Sequence, residues 1–171
     1  MAHTLTAQEL TTLSTKAIDA KATAYCPYSK FRVGACILTT SGEFISGANV
    51  ENASYPVGTC AERVAIGTAV NYLVSLSSGP WLTSPRVAGH KDFKALAVAT
   101  DIKPPGSPCG MCRQLWVSFS AFFCGWLIGS YSIREFTTPS FPVYMYDGEG
   151  NYKVMTMEEL LPDSFGPEQL K

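Results

Sequence analysis

Cys60 and the close pair Cys109 and Cys112 lie far apart in the chain, and as ligands of one metal ion they would have to converge. That requirement constrains the fold more than any other feature. The first cysteine lies in Thr59-Cys60-Ala61-Glu62-Arg63 and the pair in Pro108-Cys109-Gly110-Met111-Cys112. Zinc held by three protein ligands keeps a fourth position open for water, the arrangement of a catalytic centre rather than a structural one. Glu62 is too close to Cys60 to share the metal comfortably, but it is well placed to move protons to and from that water. Three thiolates crowd negative charge around a dication and blunt its power to acidify water. Both cysteine groups fall where helices are expected to begin, and the partial positive charge of a helix N-terminus offsets part of that excess. Arg63 is placed to donate hydrogen bonds to the sulfurs from outside the ligand set.

Each part of this cluster has a plainer reading. A Cys-x-x-Cys pair alone fits a redox motif, half of a structural zinc site, or chance. Glu62 alone fits a first-turn helix charge. The upstream Cys-Ala-Glu combined with the pair favours catalytic zinc. Cys26, Cys36 and Cys124 read as ordinary cysteines, and His3 and His90, in polar segments, are not expected to bind the metal.

At 171 residues, the chain is long enough for one well-buried domain and too short for two comfortable ones. Charged residues make up 16% and the net charge is −1, with no basic tract, so a nucleic-acid partner is not expected and small neutral substrates fit better. Met1–Leu10 is polar, so no secretory signal is expected, and a cytoplasmic location follows.

Thr6-Ala7-Gln8-Glu9 has the form of a capping box and predicts a helix through about Ala22, with Leu10, Leu13, Ala17 and Ile18 on one face. Phe31–Leu38 and Phe44–Val50 read as strands around a Ser41-Gly42 turn. Cys60–Leu73 reads as a helix with Ala61, Val64, Ala65, Thr68 and Tyr72 inward, and residues 75–93 as a loop. Ala95–Ala99 is expected as a buried strand, Pro104–Pro108 as a turn, and a helix from near Cys109. Phe141–Tyr146 and Tyr152–Met155 read as strands joined at Asp147-Gly148, with a short helix over Met157–Leu161. Strands alternating with helices predict an α/β fold, a three-layer helix–sheet–helix sandwich.

Several segments carry a resemblance to a known family. Cys26–Ala35, Asn49–Pro56, Thr59–Arg63, Ser107–Gln114 and the tail Glu158–Pro167 look like the small homotetrameric cytidine deaminases, in that family's order. The cysteine–glutamate signature is likewise similar to that of the zinc deaminases. The resemblance implies a mixed central sheet of about five strands. It also implies one Zn²⁺ per subunit and hydrolytic deamination of cytidine and deoxycytidine to uridine and deoxyuridine in pyrimidine salvage. By the same resemblance Cys60, Cys109 and Cys112 are ligands, Glu62 is the acid/base, and Arg63 and Gln114 support the centre. Asn49 and Glu51 match positions that bind the ribose 3′-hydroxyl; an amide beside a carboxylate offers the donor and acceptor that a hydroxyl needs, though spacing alone also fits a polar strand end. Phe31 is implied to pack near the nucleoside and Ala61 to touch the base through its backbone. Ala53, Tyr55 and Phe165 match residues that reach a neighbouring subunit's pocket, so the resemblance implies a homotetramer with composite sites; on the residues alone, Phe165 reads as a terminal core anchor.

The chain departs from the family pattern at about 115–133, an apolar insert without charged residues. Removing Trp116–Ser132 joins Leu115 to Ile133 and restores the expected Arg-Gln-Leu-Ile-Arg-Glu-Phe, so the insert has the form of a translated intron. A messenger RNA population that always retains it would sink that idea. Its length approaches the roughly 18 apolar residues of a membrane span, but serines and glycines dilute it and a membrane is not expected. The expectation is a single domain over residues 1–171. The insert leaves an alternative: a zinc-binding but catalytically impaired homologue whose tetramer is disturbed.

Overall fold

The computed structural model describes residues 5–70, 90, 92–114 and 136–164. Helix α1 (Ala7–Ala20) starts as the sequence predicts: Glu9 N donates to Thr6 Oγ1 at 3.2 Å and Thr6 N to Glu9 Oε2 at 2.9 Å. Leu13 and Ala17, one helical turn apart, are fully buried. The strands follow as β1 (Gly34–Thr39), β2 (Phe44–Ala48), β3 (Phe93–Ala99), β4 (Pro142–Tyr146) and β5 (Tyr152–Thr156). Between them lie α2 (Ala61–Val70) and α3 (Gly110–Gln114), and α4 (Met157–Leu160) follows β5 behind a second capping box, Thr156 with Glu159.

The strands form one sheet in the order β2-β1-β3-β4-β5. The β3–β4 pair is parallel and the others are antiparallel. Strand alternation splits the core into two layers. Ile37, Leu96, Val98 and Val143 pack with Ala61, Ala65 and Ile66 of α2, while Cys36, Leu38 and the small Ala95, Ala97 and Ala99 receive Leu13 and Ala17 of α1. This is the expected three-layer sandwich with a mixed five-stranded sheet. Each large aliphatic side chain buried in these layers contributes about 1.5–3 kcal/mol.

Register fixes where a site can form. Gly34 pairs with both Ala48 and Ala99, and Ala99 pairs with Tyr146. The segments before β1, after β2 and after β3 therefore leave the sheet at one edge, and these hold residues 28–33, 49–60 and 100–109. Lys21, Arg32 and Asp101 tie that edge together: Lys21 Nζ lies 2.8 Å from Asp101 Oδ1, and Arg32 Nε 3.0 Å from Asp101 Oδ2. The Lys21 contact, then Arg32, holds the Asp101 carboxyl below the usual carboxylate range.

Several boundaries differ from expectation, each for a non-local reason. Residues 31–33 are not strand, because the side chain of Asn49 takes the Val33 N–H (2.9 Å) and the Phe31 carbonyl (2.9 Å). Strand β2 stops at Ala48, since Asn49–Glu51 bonds instead to Tyr25 and Thr59. Phe93 belongs to β3, paired with Thr39 across a register shift, rather than to a loop. The buried face of α2 is rotated from the expected one: Thr68 is exposed and Glu62, Ile66 and Ala69 turn inward. The insert at 115–133, Cys124, Tyr72, His3, Phe165 and most of the 75–93 loop lie outside the described residues. Among the described residues, no helix is long and apolar enough to cross a membrane.

Helix α2 sits directly on β2 because Gly47 has no side chain. A Cβ there would lie 2.5 Å from Ala65 N and 2.7 Å from Ala61 O. Gly47→Ala must push the helix off the sheet, and we expect a loss of about 1–3 kcal/mol, read as a lower urea midpoint with an unchanged slope. An unchanged midpoint would contradict this packing.

Candidate zinc and nucleoside site

Helices α2 and α3 begin immediately after Cys60 and Cys109. Val64 N donates to the Cys60 carbonyl and Arg113 N to the Cys109 carbonyl, each at 3.1 Å, so both cysteines occupy helix-start positions as anticipated. The sulfurs of Cys60, Cys109 and Cys112 all lie within 4.8 Å of one another. Cys60 Sγ is 3.8 Å from Cys109 Sγ, which is 3.5 Å from Cys112 Sγ. Tetrahedral zinc with Zn–S bonds of about 2.3 Å places its sulfurs about 3.8 Å apart. The donor set and its spacing therefore fit zinc. His90 instead pairs with Glu43, Cys36 is in the core and Cys26 is half-buried.

The electrostatics suit a cation at this point. A hydrogen bond from Cys112, then the Arg63 guanidinium, pulls the Cys60 thiol down to about 5; the same hydrogen bond and burial push Cys112 up. Arg63 Nη2 lies 3.5 Å from Cys60 Sγ and 3.4 Å from the Gly58 carbonyl, on the sulfur side as expected. Arg63 Nε is buried with no partner among the described residues. Glu62, only 4% exposed in the first turn of α2, is raised to about 7 by burial and then by the neighbouring Cys60 charge. A carboxyl raised this way at neutral pH can both accept and return a proton.

Cys60 and Cys109 of the cluster form part of the wall of a cavity of about 680 Å³, lined also by Phe31, Asn49, Glu51, Tyr55, Glu62 and Arg63, while Cys112 is buried behind it. Asn49 and Glu51 sit two apart in an extended segment and so share one side. Backbone bonds hold that segment on both flanks, Glu51 N to Tyr25 O at 2.7 Å and Val50 N to Thr59 O at 2.9 Å. Glu51 accepts from Tyr28 N, Ser29 N and the Ser29 hydroxyl, and these bonds, the hydroxyl's first, lower its carboxyl. Ala53 and Ala61 do not line the cavity; Ala53 is exposed and Ala61 fully buried. Tyr55 is 76% exposed at the rim, edge-on to Tyr28. Gln114 ends α3, and its side chain lies outside the described residues, as does Phe165.

Sequence reasoning passed over Arg113 and Ser29. Arg113 bonds the Pro108 carbonyl (2.6 Å), Ser107 Oγ (2.7 Å) and the Leu160 carbonyl (2.8 Å), clamping the turn that carries Cys109 to the end of α4. Its only sequence signal is its place after Cys112; two of its three partners are backbone carbonyls, and one of those, on Leu160, is remote.

The chain's matches agree with this geometry. A family model described as the cytidine and deoxycytidylate deaminase zinc-binding region matches residues 7–122. The cytidine deaminase of Sporosarcina psychrophila is 37% identical over 151 residues, covering 88% of this chain and 87% of the relative. That of Halalkalibacterium halodurans is 35% identical over 155 residues, covering 91% and 92%. The crystal structure of cytidine deaminase from Burkholderia pseudomallei aligns with a TM-score of 0.69 at 32% identity, over 94% of this chain and 100% of that one. With most of its length matched in both sequence and fold, the chain belongs to the cytidine deaminase family.

Proposed function

We propose that the chain is a single-domain zinc enzyme over residues 1–171 that hydrolyses cytidine and deoxycytidine to uridine and deoxyuridine, releasing ammonia, in pyrimidine salvage. The observation that carries this reading is one cavity whose wall joins Cys60 and Cys109, two of the three clustered sulfurs, and buried Glu62 with the Asn49–Glu51 pair. Cys60, Cys109 and Cys112 would hold one Zn²⁺ per subunit. Zinc, when bound, supplies a Lewis acid that brings the ionisation of an adjacent water toward neutrality. Glu62 takes a proton from the attacking water and returns it to the departing 4-amino group, so that C–N is exchanged for C–O with no net proton on the enzyme. Asn49 and Glu51 hold the sugar hydroxyl and Phe31 packs against the nucleoside; Ala61, fully buried and off the cavity wall in this structure, would meet the base through its backbone only if that wall opens on binding.

We also propose a cytoplasmic homotetramer with composite sites, in which Ala53, Tyr55 and Phe165 serve a neighbouring subunit; no nucleic acid or membrane partner is part of this reading. Tyr28, Val50, Tyr55 and Val57 are exposed around the cavity, and an apolar rim of that kind supports assembly there. The test is to purify the full chain, measure its zinc content and mass in solution, and follow the fall in cytidine absorbance. Turnover by a zinc-loaded tetramer supports the proposal. Zinc bound without turnover would favour an impaired homologue.

Arg113 supplies a second test. Arg113→Ala removes the clamp on the Ser107–Cys109 turn, and we expect zinc affinity to fall about 10–100-fold, read by competition with a chromogenic chelator. Unchanged affinity would contradict the clamp.

A further inference from the structure

Glu51 stands between two cavities. One is the site cavity of about 680 Å³, and the other, of about 420 Å³, is lined by Tyr28, Ser29, Glu51, Asn52, Tyr55 and Gly58. A glutamate carboxyl turns easily about its last bond, since such torsions are broad. Something must fix where its two oxygens are aimed.

An ionised carboxylate only accepts, through about four lone-pair directions. Among the described residues, Glu51 Oε2 accepts from Tyr28 N at 3.0 Å and Ser29 N at 3.2 Å, and Oε1 accepts the Ser29 hydroxyl. One direction, on Oε1, remains. The hydroxyl of Ser29 has a single proton, committed to Glu51, and its oxygen accepts Phe31 N at 3.0 Å. Asn49 Oδ1 accepts Val33 N and Asn49 Nδ2 donates to the Phe31 carbonyl, leaving one amide N–H free to donate. A sugar hydroxyl placed between them gives its proton to Glu51 Oε1 and accepts from Asn49 Nδ2.

We propose that Ser29 is a positioning residue for sugar discrimination. Its hydroxyl fixes Glu51 Oε1, leaves one acceptor direction there for the 3′-hydroxyl, and ties that carboxylate to the backbone of Phe31. This rests on Asn49 and Glu51 being the ribose subsite. Bonds to an ionised acceptor are the stronger kind, and no other side chain among the described residues hydrogen-bonds both Glu51 and the Phe31 backbone.

The test measures binding of 2′-deoxyuridine and 2′,3′-dideoxyuridine, which differ only in the 3′-hydroxyl, to the zinc-loaded full chain by calorimetry. This readout does not depend on turnover. In Ser29→Ala the preference for 2′-deoxyuridine is expected to fall about three- to tenfold, the loss of one hydrogen bond, and Ser29→Thr should restore it. Glu51→Gln should abolish the preference. If Glu51→Gln abolishes it and Ser29→Ala does not change it, the Ser29 proposal is overturned and the subsite reading stands. If Glu51→Gln leaves the preference intact, both fall. Equal weakening of both nucleosides by Ser29→Ala would show a merely structural serine and overturn the proposal. Should Ser29→Ala not fold, Ser29→Gly reads the same ratio.

Discussion

Glu62→Gln should leave zinc bound and lower kcat on cytidine by about 10²–10⁴-fold. The substitution keeps the volume and hydrogen-bonding reach of the side chain and removes only its ability to carry a proton. Glu62 lies in the first turn of α2 and outside the group of three sulfurs, so the ligand set stays complete without its carboxylate. Its carboxyl, raised to about 7 by burial and by the Cys60 charge, is buried at a place where a mere helix-surface charge would face solvent. The rival view of Glu62, a favourable charge at a helix start, makes a different forecast: stability falls by up to about 1 kcal/mol and kcat is untouched. Absorbance assays with metal analysis on the same preparation separate the two. Glu62→Asp sharpens the comparison, since it keeps the charge and withdraws the carboxyl by one methylene. A misplacement of about 1 Å already costs about 100-fold in a positioned proton transfer. Full activity in either variant would refute the acid/base role.

What was legible in the sequence was local. Thr6 and Glu9 are three residues apart and announce α1 without help from the rest of the chain. The two metal segments are short, and their helix starts follow from the chain beside them. The helix–sheet–helix layering follows from strands that alternate with helices along the chain, and the mixed sheet of about five strands is implied by the family resemblance. What was missed depends on contacts between distant residues. Phe31–Val33 looks like strand by composition, but Asn49 takes its backbone groups. The inward turn of Glu62 and Ile66 depends on how closely Gly47 lets α2 approach β2. Arg113 gains its meaning from Leu160, and Ser29 from Glu51, partners that no local pattern connects. The site's chemistry was therefore readable from its donors, while the side chains that aim those donors were visible only in the fold.

Chelation should lower the melting temperature of the full chain by about 5–11 °C, and Cys112→Ala should abolish both zinc binding and that response. Cys112 is fully buried in α3 and Cys60 precedes α2, so a shared ion ties two elements that are otherwise joined through the sheet. A metal present at about 100 times its dissociation constant stabilises the folded state by about 2.7 kcal/mol, and for a chain of this size each kcal/mol is worth about 2–4 °C. Alanine also removes the sulfur that hydrogen-bonds Cys60, so the remaining two cysteines offer an incomplete set. Catalysis should be lost in both cases, but the melting shift is the more telling reading because it does not depend on turnover. A wild-type chain whose melting is indifferent to chelator, with metal analysis showing the zinc removed, would mean that the three sulfurs gather for packing alone. A Cys112→Ala variant that keeps zinc and the chelator response would place the ion elsewhere in the chain. The expected pairing, a large shift in the wild type and none in the variant, arises only if the ion is held by this cluster and binds the folded chain in preference to the unfolded one.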